Sequence, residues 1–313
     1  MNYVIIIAGG VGSRLGAKVP KQFVEVLGKP IIAYTMDHFQ NHPEIDGIEL
    51  VCVDGYQDHL QSIADKYGIT KVMKIVKGGS EYERSIMNGV AGLEEIAKPD
   101  DVVMIHWSAS PFLSEEMITD NIRVCKEKGN AITASYSYLL YGTNDGDCAK
   151  KNINRETFMT LSAPQSFLYK IITDIYRQVE EKQLFDYVEH HTPALMEELG
   201  IPMYFSKGSH SNIKITEKED VDLFLGYLLV KKYKEENKFK STIRNYITAL
   251  NTVLEILLGI DLGQFNKKQL DVFVINSAEF NKDKKYELFF YRNNDMITEL
   301  KDKIRLTLNN KSN

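Results

Sequence analysis

Apolar runs five to nine residues long recur along the first half of the chain, and a helix-like stretch follows nearly every one. The segment YVIII at 3–7 runs into a glycine loop. GIELVCV (47–53) precedes YQDHLQSIADKYG, and KVMKIV (71–76) precedes SEYERSIMNGVAGLEEI. DVVMIHW (101–107) precedes SEEMITDNIRVCKEKG, and AITASYSYL (131–139) follows. A strand covered on one face alternates apolar and polar residues, whereas a strand covered on both faces reads as one continuous apolar run. Unbroken runs separated by single helices therefore predict parallel βαβ units with right-handed crossovers. The expected fold is α/β, a mostly parallel twisted sheet with helices on both faces. The four strands from 3–7 to 101–107 are all read as buried.

The rhythm breaks at LLYGTNDGDCAKKNINRETF (139–158), a polar, turn-rich stretch read as a protruding β-arm or hairpin. Helices are expected over about 167–182 and 193–199, with a strand at PMYFS between that pair and NIKITEKEDVDLFLGYLLVKKY. In this last stretch Thr216 followed by Glu219 has the pattern of a capping box. Composition shifts at KKYKEENKFKSTIR (231–244), which puts a domain boundary near 235. Residues 1–235 are expected to form one domain. Residues 236–313, with a helix over 245–259, two strand-like runs (LDVFVINS and KYELFFYR) and a charged terminal helix, are expected to form a small α/β extension of unassigned role.

A net charge of -5 gives the whole chain no bulk attraction for nucleic acid or anionic membrane. Cys52, Cys125 and Cys148 lie far apart without a CxxC pair, which argues against both a disulfide framework and a zinc site. The N-terminal apolar run is too short for a signal peptide and lacks a basic region before it. No stretch reaches the ~18 apolar residues of a membrane span. A cytoplasmic protein is expected.

The most informative segment is IIIAGGVGSRLGAKVPKQF. A buried strand ends at Ile7, and Ala8, Gly9, Gly10, Val11 and Gly12 then expose backbone N–H groups with few side chains in the way. Such a nest suits phosphate oxygens, and Arg14 and Lys21 add positive charge beside it. A GxxxxGK[ST] loop is absent, and Leu15 stands where a GxGxxG dinucleotide fingerprint needs glycine. From the loop alone, a plain strand-to-helix turn with solvated basic residues remains open.

AGGxGxR followed by PKQ resembles the signature of nucleotidylyltransferases that make CDP-activated polyols. It is closest to the ribitol-5-phosphate cytidylyltransferases of teichoic-acid synthesis and their relatives, the methylerythritol-phosphate cytidylyltransferases of isoprenoid synthesis. GKPIIAYT (28–35), GGSEYERSIMNG (78–89), HWSASPFL (106–113), RETFMTLSAPQSF (155–167) and NIKIT (212–216) follow in the family's order over about residues 1–230. The resemblance implies a Rossmann-like nucleotidyltransferase fold and a homodimer. It also implies attack by a polyol- or sugar-phosphate oxygen on the α-phosphorus of CTP, with Mg2+ and release of pyrophosphate. By the same resemblance, Ala8, Gly9, Gly10 and Gly12 cradle the triphosphate, and Arg14, Lys21 and Lys214 hold its phosphates. Gly78, Gly79 and Ser85 border the base and ribose. Arg155, on the arm, and Thr216 meet the acceptor's phosphate.

The chain departs from the family pattern on the acceptor side. HDAxRPF has become His106-Trp107-Ser108-Ala109-Ser110-Pro111-Phe112, so Trp107 replaces an aspartate that helps hold metal and acceptor, and Ser110 replaces an arginine. Tyr82 stands at the arginine position of GGxxRxx[ST], and EHHTPALMEELG carries histidines where the family has an acidic helix head. No metal ligand is assigned. Trp107 is either a stacking platform for a ligand or a plug in a disused site. His106, ending a buried strand, reads as a structural histidine. Beside the cytidylyltransferase reading stand two alternatives: a pseudoenzyme of the same fold that binds nucleotide or a protein partner, and a transferase that uses another base.

Overall fold

The computed structural model describes residues 1–10 and 19–235. Gly12, Arg14 and the whole of 236–313, with the helices and strands expected there, lie outside the described residues. The chain divides into two compact units, Met1–Val221 and Asp222–Asn313. In the second unit, the described part is the remainder of one helix.

In chain order the first unit begins with β1 (Asn2–Ala8), a two-residue pair β2 (Glu25–Val26) and β3 (Lys29–Pro30), and α1 (Ile31–Asn41). Then come β4 (Gly47–Cys52), α2 (Gln57–Lys66), β5 (Val72–Lys77), α3 (Tyr82–Gly92), β6 (Val102–Trp107), α4 (Glu115–Lys128) and β7 (Asn130–Tyr136). The arm is the hairpin β8 (Tyr141–Gly142) and β9 (Asn152–Ile153). It is followed by β10 (Met159–Leu168), α5 (Tyr169–Glu181), α6 (Thr192–Glu198) and β11 (Phe205–Lys207). Helix α7 (Lys218–Glu235) completes the described chain.

The main sheet has the order β11-β7-β10-β6-β1-β4-β5. All neighbours pair in parallel except β10, which runs antiparallel to both β6 and β7. Along β1 the side chains divide by period two. Val4, Ile6 and Ala8 enter one core, built with α1, α2 and α4. Tyr3, Ile5 and Ile7 enter the other, built with α3, α5 and α6. That is why the strand reads as one apolar run: each face is a core face.

The structure corrects two details of the sequence reading. KVMKIV forms β5 at the sheet edge, and its residues are half-buried or exposed. Among the described residues no strand pairs beyond it. The capping box at Thr216 is displaced by one residue. The Thr216 hydroxyl donates to the Lys214 carbonyl (3.0 Å), and Asp220 Oδ2, not Glu219, accepts from the backbone N–H groups of Thr216 (2.8 Å) and Glu217 (3.0 Å). Asp220 lies three residues beyond Glu217, so it provides the reach-back half of the motif at the start of α7.

A candidate nucleotide-binding site at the switch point

After β1 the chain builds β4 and β5 on one side, then crosses to lay β6 on the other. Such a reversal opens a crevice beyond the carboxyl ends of the two central strands, where α/β proteins bind ligands. A cavity of about 350 Å³ lies there, within the size range of small-ligand pockets. Ile7 and Gly10 line it from the end of β1, Trp107, Ser108 and Ala109 from the end of β6, and Lys21 and Gln22 from the turn after the glycine loop. Tyr82 at the start of α3, His191, Lys214 and Thr216 complete it.

Backbone bonds lock these segments together. The N–H of Ser108 donates to the Ile7 carbonyl (3.1 Å), and that of Ile215 to the Ala109 carbonyl (2.8 Å). Lys21 Nζ donates to the Ile215 carbonyl (2.9 Å), so a single residue, Ile215, joins the turn after β6 to Lys21. Gln22, almost fully buried, donates through Nε2 to the carbonyls of Ala8 (2.8 Å) and Gly10 (3.0 Å). It ties the exit of β1 to the turn at Lys21–Phe23. The PKQ triplet signalled this glutamine, but sequence reasoning assigned it no role.

Gly9 packs against α3. A Cβ placed on it would lie 2.9 Å from Ser85 Oγ. Ser85 Oγ accepts from the Gly79 N–H (3.0 Å) and donates to the Glu81 carbonyl (3.0 Å). Gly78, Gly79 and Ser85 therefore sit behind the glycine loop and do not themselves line the cavity.

Tyr82, Trp107 and Lys214 converge. Trp107 Nε1 donates to the Tyr82 hydroxyl oxygen (2.5 Å), and Lys214 Nζ lies 4.7 Å from the Trp107 ring centroid and 5.6 Å from that of Tyr82. Burial pushes the Tyr82 hydroxyl above the usual tyrosine range, so it stays neutral. Next to it, buried Glu83 accepts from the Tyr176 hydroxyl (2.6 Å) and from Thr192 Oγ1 (3.4 Å). This network ties α3 to α5 and to the start of α6, and so fixes the neighbours Tyr82 and His191, whose rings are 6.0 Å apart.

His106 faces away from this chemistry. It is fully buried, its Nε2 meets the Ser110 carbonyl oxygen (2.9 Å), and its ring packs edge-on against Phe39. Burial pushes its pKa down to about 3, so it is uncharged at neutral pH. Arg155 lies on the arm, exposed, donating to the Tyr138 carbonyl (3.3 Å) and outside the cavity lining of its own chain.

Among the described residues the cavity lining holds no Asp or Glu, and no group of three or more His, Cys, Asp or Glu side chains comes together. Mg2+ demands hard oxygen ligands. Neutral hydroxyls from Ser108 and Thr216 are a poor fit for a metal held by the protein itself.

The chain matches the family model of 2-C-methyl-D-erythritol 4-phosphate cytidylyltransferase over residues 2–229. It belongs to that cytidylyltransferase family. The cytidylyltransferase fold continues through known relatives. A ribitol-5-phosphate cytidylyltransferase of Lacticaseibacillus paracasei is 37% identical over 229 residues, 73% of this chain and 98% of the relative. A 2-C-methyl-D-erythritol 4-phosphate cytidylyltransferase of Clostridium botulinum is 36% identical over 234 residues, covering 74% and 98%. The crystal structure of 4-diphosphocytidyl-2C-methyl-D-erythritol synthase from Anaerococcus prevotii superposes with a TM-score of 0.60 at 28% identity, covering 72% of this chain and 95% of that one. Among the described residues, no helix of this cytidylyltransferase is long and apolar enough to cross a membrane.

Proposed function

We infer that the cavity binds CTP and that the protein transfers CMP to a polyol phosphate of the ribitol-5-phosphate class, releasing pyrophosphate and a CDP-polyol. One observation carries this reading: Lys21 and Lys214 line the same cavity beside the Gly9–Gly10 loop at the switch point, in a chain of this family. A phosphate monoester with a second pKa near 6 is mostly dianionic at neutral pH, so the attacking oxygen needs no general base. What the reaction needs is position and positive charge on the oxygens of the α-phosphoryl group. Buried, neutral His106 and a lining without carboxylates are consistent with that need.

In this reading Ala8, Gly9, Gly10 and Gly12 present N–H groups to the triphosphate, and Arg14, Lys21 and Lys214 neutralise it. Trp107 and Thr216 face the acceptor. Mg2+ arrives with CTP as its counter-ion, bound by phosphates and water. The exposed arm residues Tyr138, Leu139 and Leu140, at 72%, 67% and 83% exposure, support a homodimer in which Arg155 of each arm serves the other subunit's acceptor. CTP is drawn from a cytoplasmic pool, and the product would feed assembly of a polyol-phosphate polymer of the cell surface. A nucleotide-binding protein without chemistry finds no support among the relatives.

The test is pyrophosphate release from CTP with ribitol-5-phosphate and, separately, with methylerythritol phosphate. Removal of one preorganised donor typically costs ~10²–10³ in kcat, and Lys21→Ala is expected to lose that much while keeping its circular dichroism spectrum. Absence of turnover with either acceptor, or a fully active Lys21→Ala, would defeat this reading. The other nucleoside triphosphates, run in parallel, decide the base.

A further inference from the structure

Residues 81–83 and 190–192 are laced together one to one. Glu81, the residue before α3, meets His190, with Glu81 Oε2 2.6 Å from His190 Nδ1. Glu83, buried in the first turn of α3, accepts from Thr192 Oγ1 at 3.4 Å and from the Tyr176 hydroxyl at 2.6 Å. Between these two ties Tyr82 and His191 stand side by side, and both line the cavity. The outer tie is firm by its chemistry. His190 Nε2 also meets the Phe185 carbonyl oxygen at 2.8 Å, so both ring nitrogens face oxygen acceptors. Both contacts are hydrogen bonds only when both nitrogens carry protons, and the Phe185 carbonyl, with the Glu81 carboxylate, holds the His190 pKa above the usual histidine range. The His191 ring, carried between the ties, is held more loosely. Its Nε2 is 3.5 Å from a Glu189 carboxylate oxygen, with both side chains more than half exposed. An exposed pair of that length contributes little, so the imidazole can exchange it for a group of a bound ligand.

We propose that His191 is a specificity-determining residue that hydrogen-bonds the hydroxyl groups of the polyol acceptor. The proposal rests on the reading of this cavity as the site of cytidylyl transfer to a polyol phosphate. A hydroxyl both donates and accepts, and a neutral imidazole carries one N–H donor and one bare nitrogen acceptor on the same ring. A carboxylate, the group that the family pattern has at this helix head, only accepts. The neighbouring Tyr82 hydroxyl, kept neutral by burial, adds no charge to this wall. The acceptor's hydroxyls lie on its carbon chain, away from the phosphate oxygen that attacks. Bonds to them are as strong before the transition state as in it, so their loss belongs in the acceptor's KM and leaves kcat nearly unchanged.

The experiment measures pyrophosphate release from CTP with ribitol-5-phosphate and with methylerythritol phosphate, for wild type and for His191→Leu, His191→Asn, His191→Gln and His191→Asp, with thermal melts on each. With the acceptor that wild type uses better, His191→Leu is expected to raise the acceptor's KM at least tenfold, with kcat and the KM for CTP changed less than threefold. The Asn and Gln amides both donate and accept, and at least one of the two is expected to bring the acceptor's KM back within threefold of wild type. His191→Asp, which only accepts, is expected to stay at least fivefold above wild type. A histidine of merely structural importance would raise both KM values together, lower the melting temperature and find no rescue in an amide. An unchanged acceptor KM in the Leu variant, parallel rises in both KM values, or failure of both amides overturns the proposal.

A second measurement separates the acceptor's hydroxyls from its phosphate. Inorganic phosphate, which has no carbon chain, is expected to inhibit wild type and His191→Leu with the same constant. Inhibition weakened in the Leu variant would place the histidine on phosphate and overturn the hydroxyl assignment. A wild type inactive with both acceptors overturns the functional reading and this proposal together, whereas an active wild type with an unaffected His191→Leu overturns the role of His191 alone.

Discussion

Replacing Gly9 by alanine would put a methyl carbon 2.9 Å from Ser85 Oγ, where ordinary contact begins at 3.4 Å. Ser85 can clear it only by turning its hydroxyl away. That breaks the bonds to the Gly79 N–H and the Glu81 carbonyl, both 3.0 Å. The Glu81 carbonyl keeps its backbone bond from Ser85 N, so the main loss is an unsatisfied Gly79 N–H, costing ~1–3 kcal/mol. Ser85→Ala loses the same bonds and is expected to cost about the same. In the double variant, however, the methyl meets no hydroxyl. The nearest remaining atoms are Ser85 Cβ at 3.6 Å and the Gly78 Cα at 3.7 Å. Gly9 is also absent from the positive-φ residues, so alanine there recovers roughly 0.4–1 kcal/mol of unfolded-state entropy. The double variant should thus be no less stable than Ser85→Ala alone, a coupling of about 2 kcal/mol in its favour. Urea unfolding of the four proteins, with CTP titration by Trp107 fluorescence, measures it. Affinity lost in Gly9→Ala should return in part in the double variant. Costs that add within ~0.5 kcal/mol would show that the two sites are independent and would refute the close packing of the glycine loop on α3.

Glu49 of β4 is fully buried with neither carboxylate oxygen hydrogen-bonded, and burial pushes its pKa up to about 8 from 4.5. The folded state keeps the proton that the unfolded chain releases, so stability from this group is present in full below pH 4.5 and is lost as pH rises to about 8. The slope is ~1.4 kcal/mol per pH unit, or about 5 kcal/mol over the whole window. Glu49→Gln should remove that slope, with its unfolding midpoint gaining on wild type steadily between pH 5 and 8, and parallel pH curves would contradict the assignment. Leu139→Asp with Leu140→Asp on the arm is expected to turn a dimer into a monomer in sedimentation velocity and to abolish turnover through loss of the partner's Arg155. A wild-type monomer would remove the arm from the mechanism.

Much of the architecture was legible in the sequence because it is encoded locally. Continuous apolar runs report strands buried on both faces, and glycines after the first run report a strand exit with few side chains in the way. The alternation of runs and helices places that loop at the carboxyl ends of parallel strands. Lys21, Lys214 and Trp107 could be nominated by motif order, and all three line the cavity. KVMKIV misled because an apolar run does not reveal whether another strand lies beyond it, and β5 is the edge. His191 was marked only as a departure from the family's acidic helix head, because its place at the cavity depends on the buried bonds among Glu83, Tyr176 and Thr192.

Periodicity and turn chemistry act over a few residues, and on that scale the chain's own order of amino acids was sufficient for strands, helices, the glycine loop and the family. The long-range pairings were settled only in three dimensions. Sheet order inserted β10 antiparallel between β6 and β7, and packing brought Ser85 against Gly9 and anchored Lys21 on Ile215. The same packing turned two departures from the family motif, Tyr82 and Trp107, into neighbours around Lys214. Contacts between residues tens to hundreds of positions apart follow from register and layer packing, which no local pattern contains.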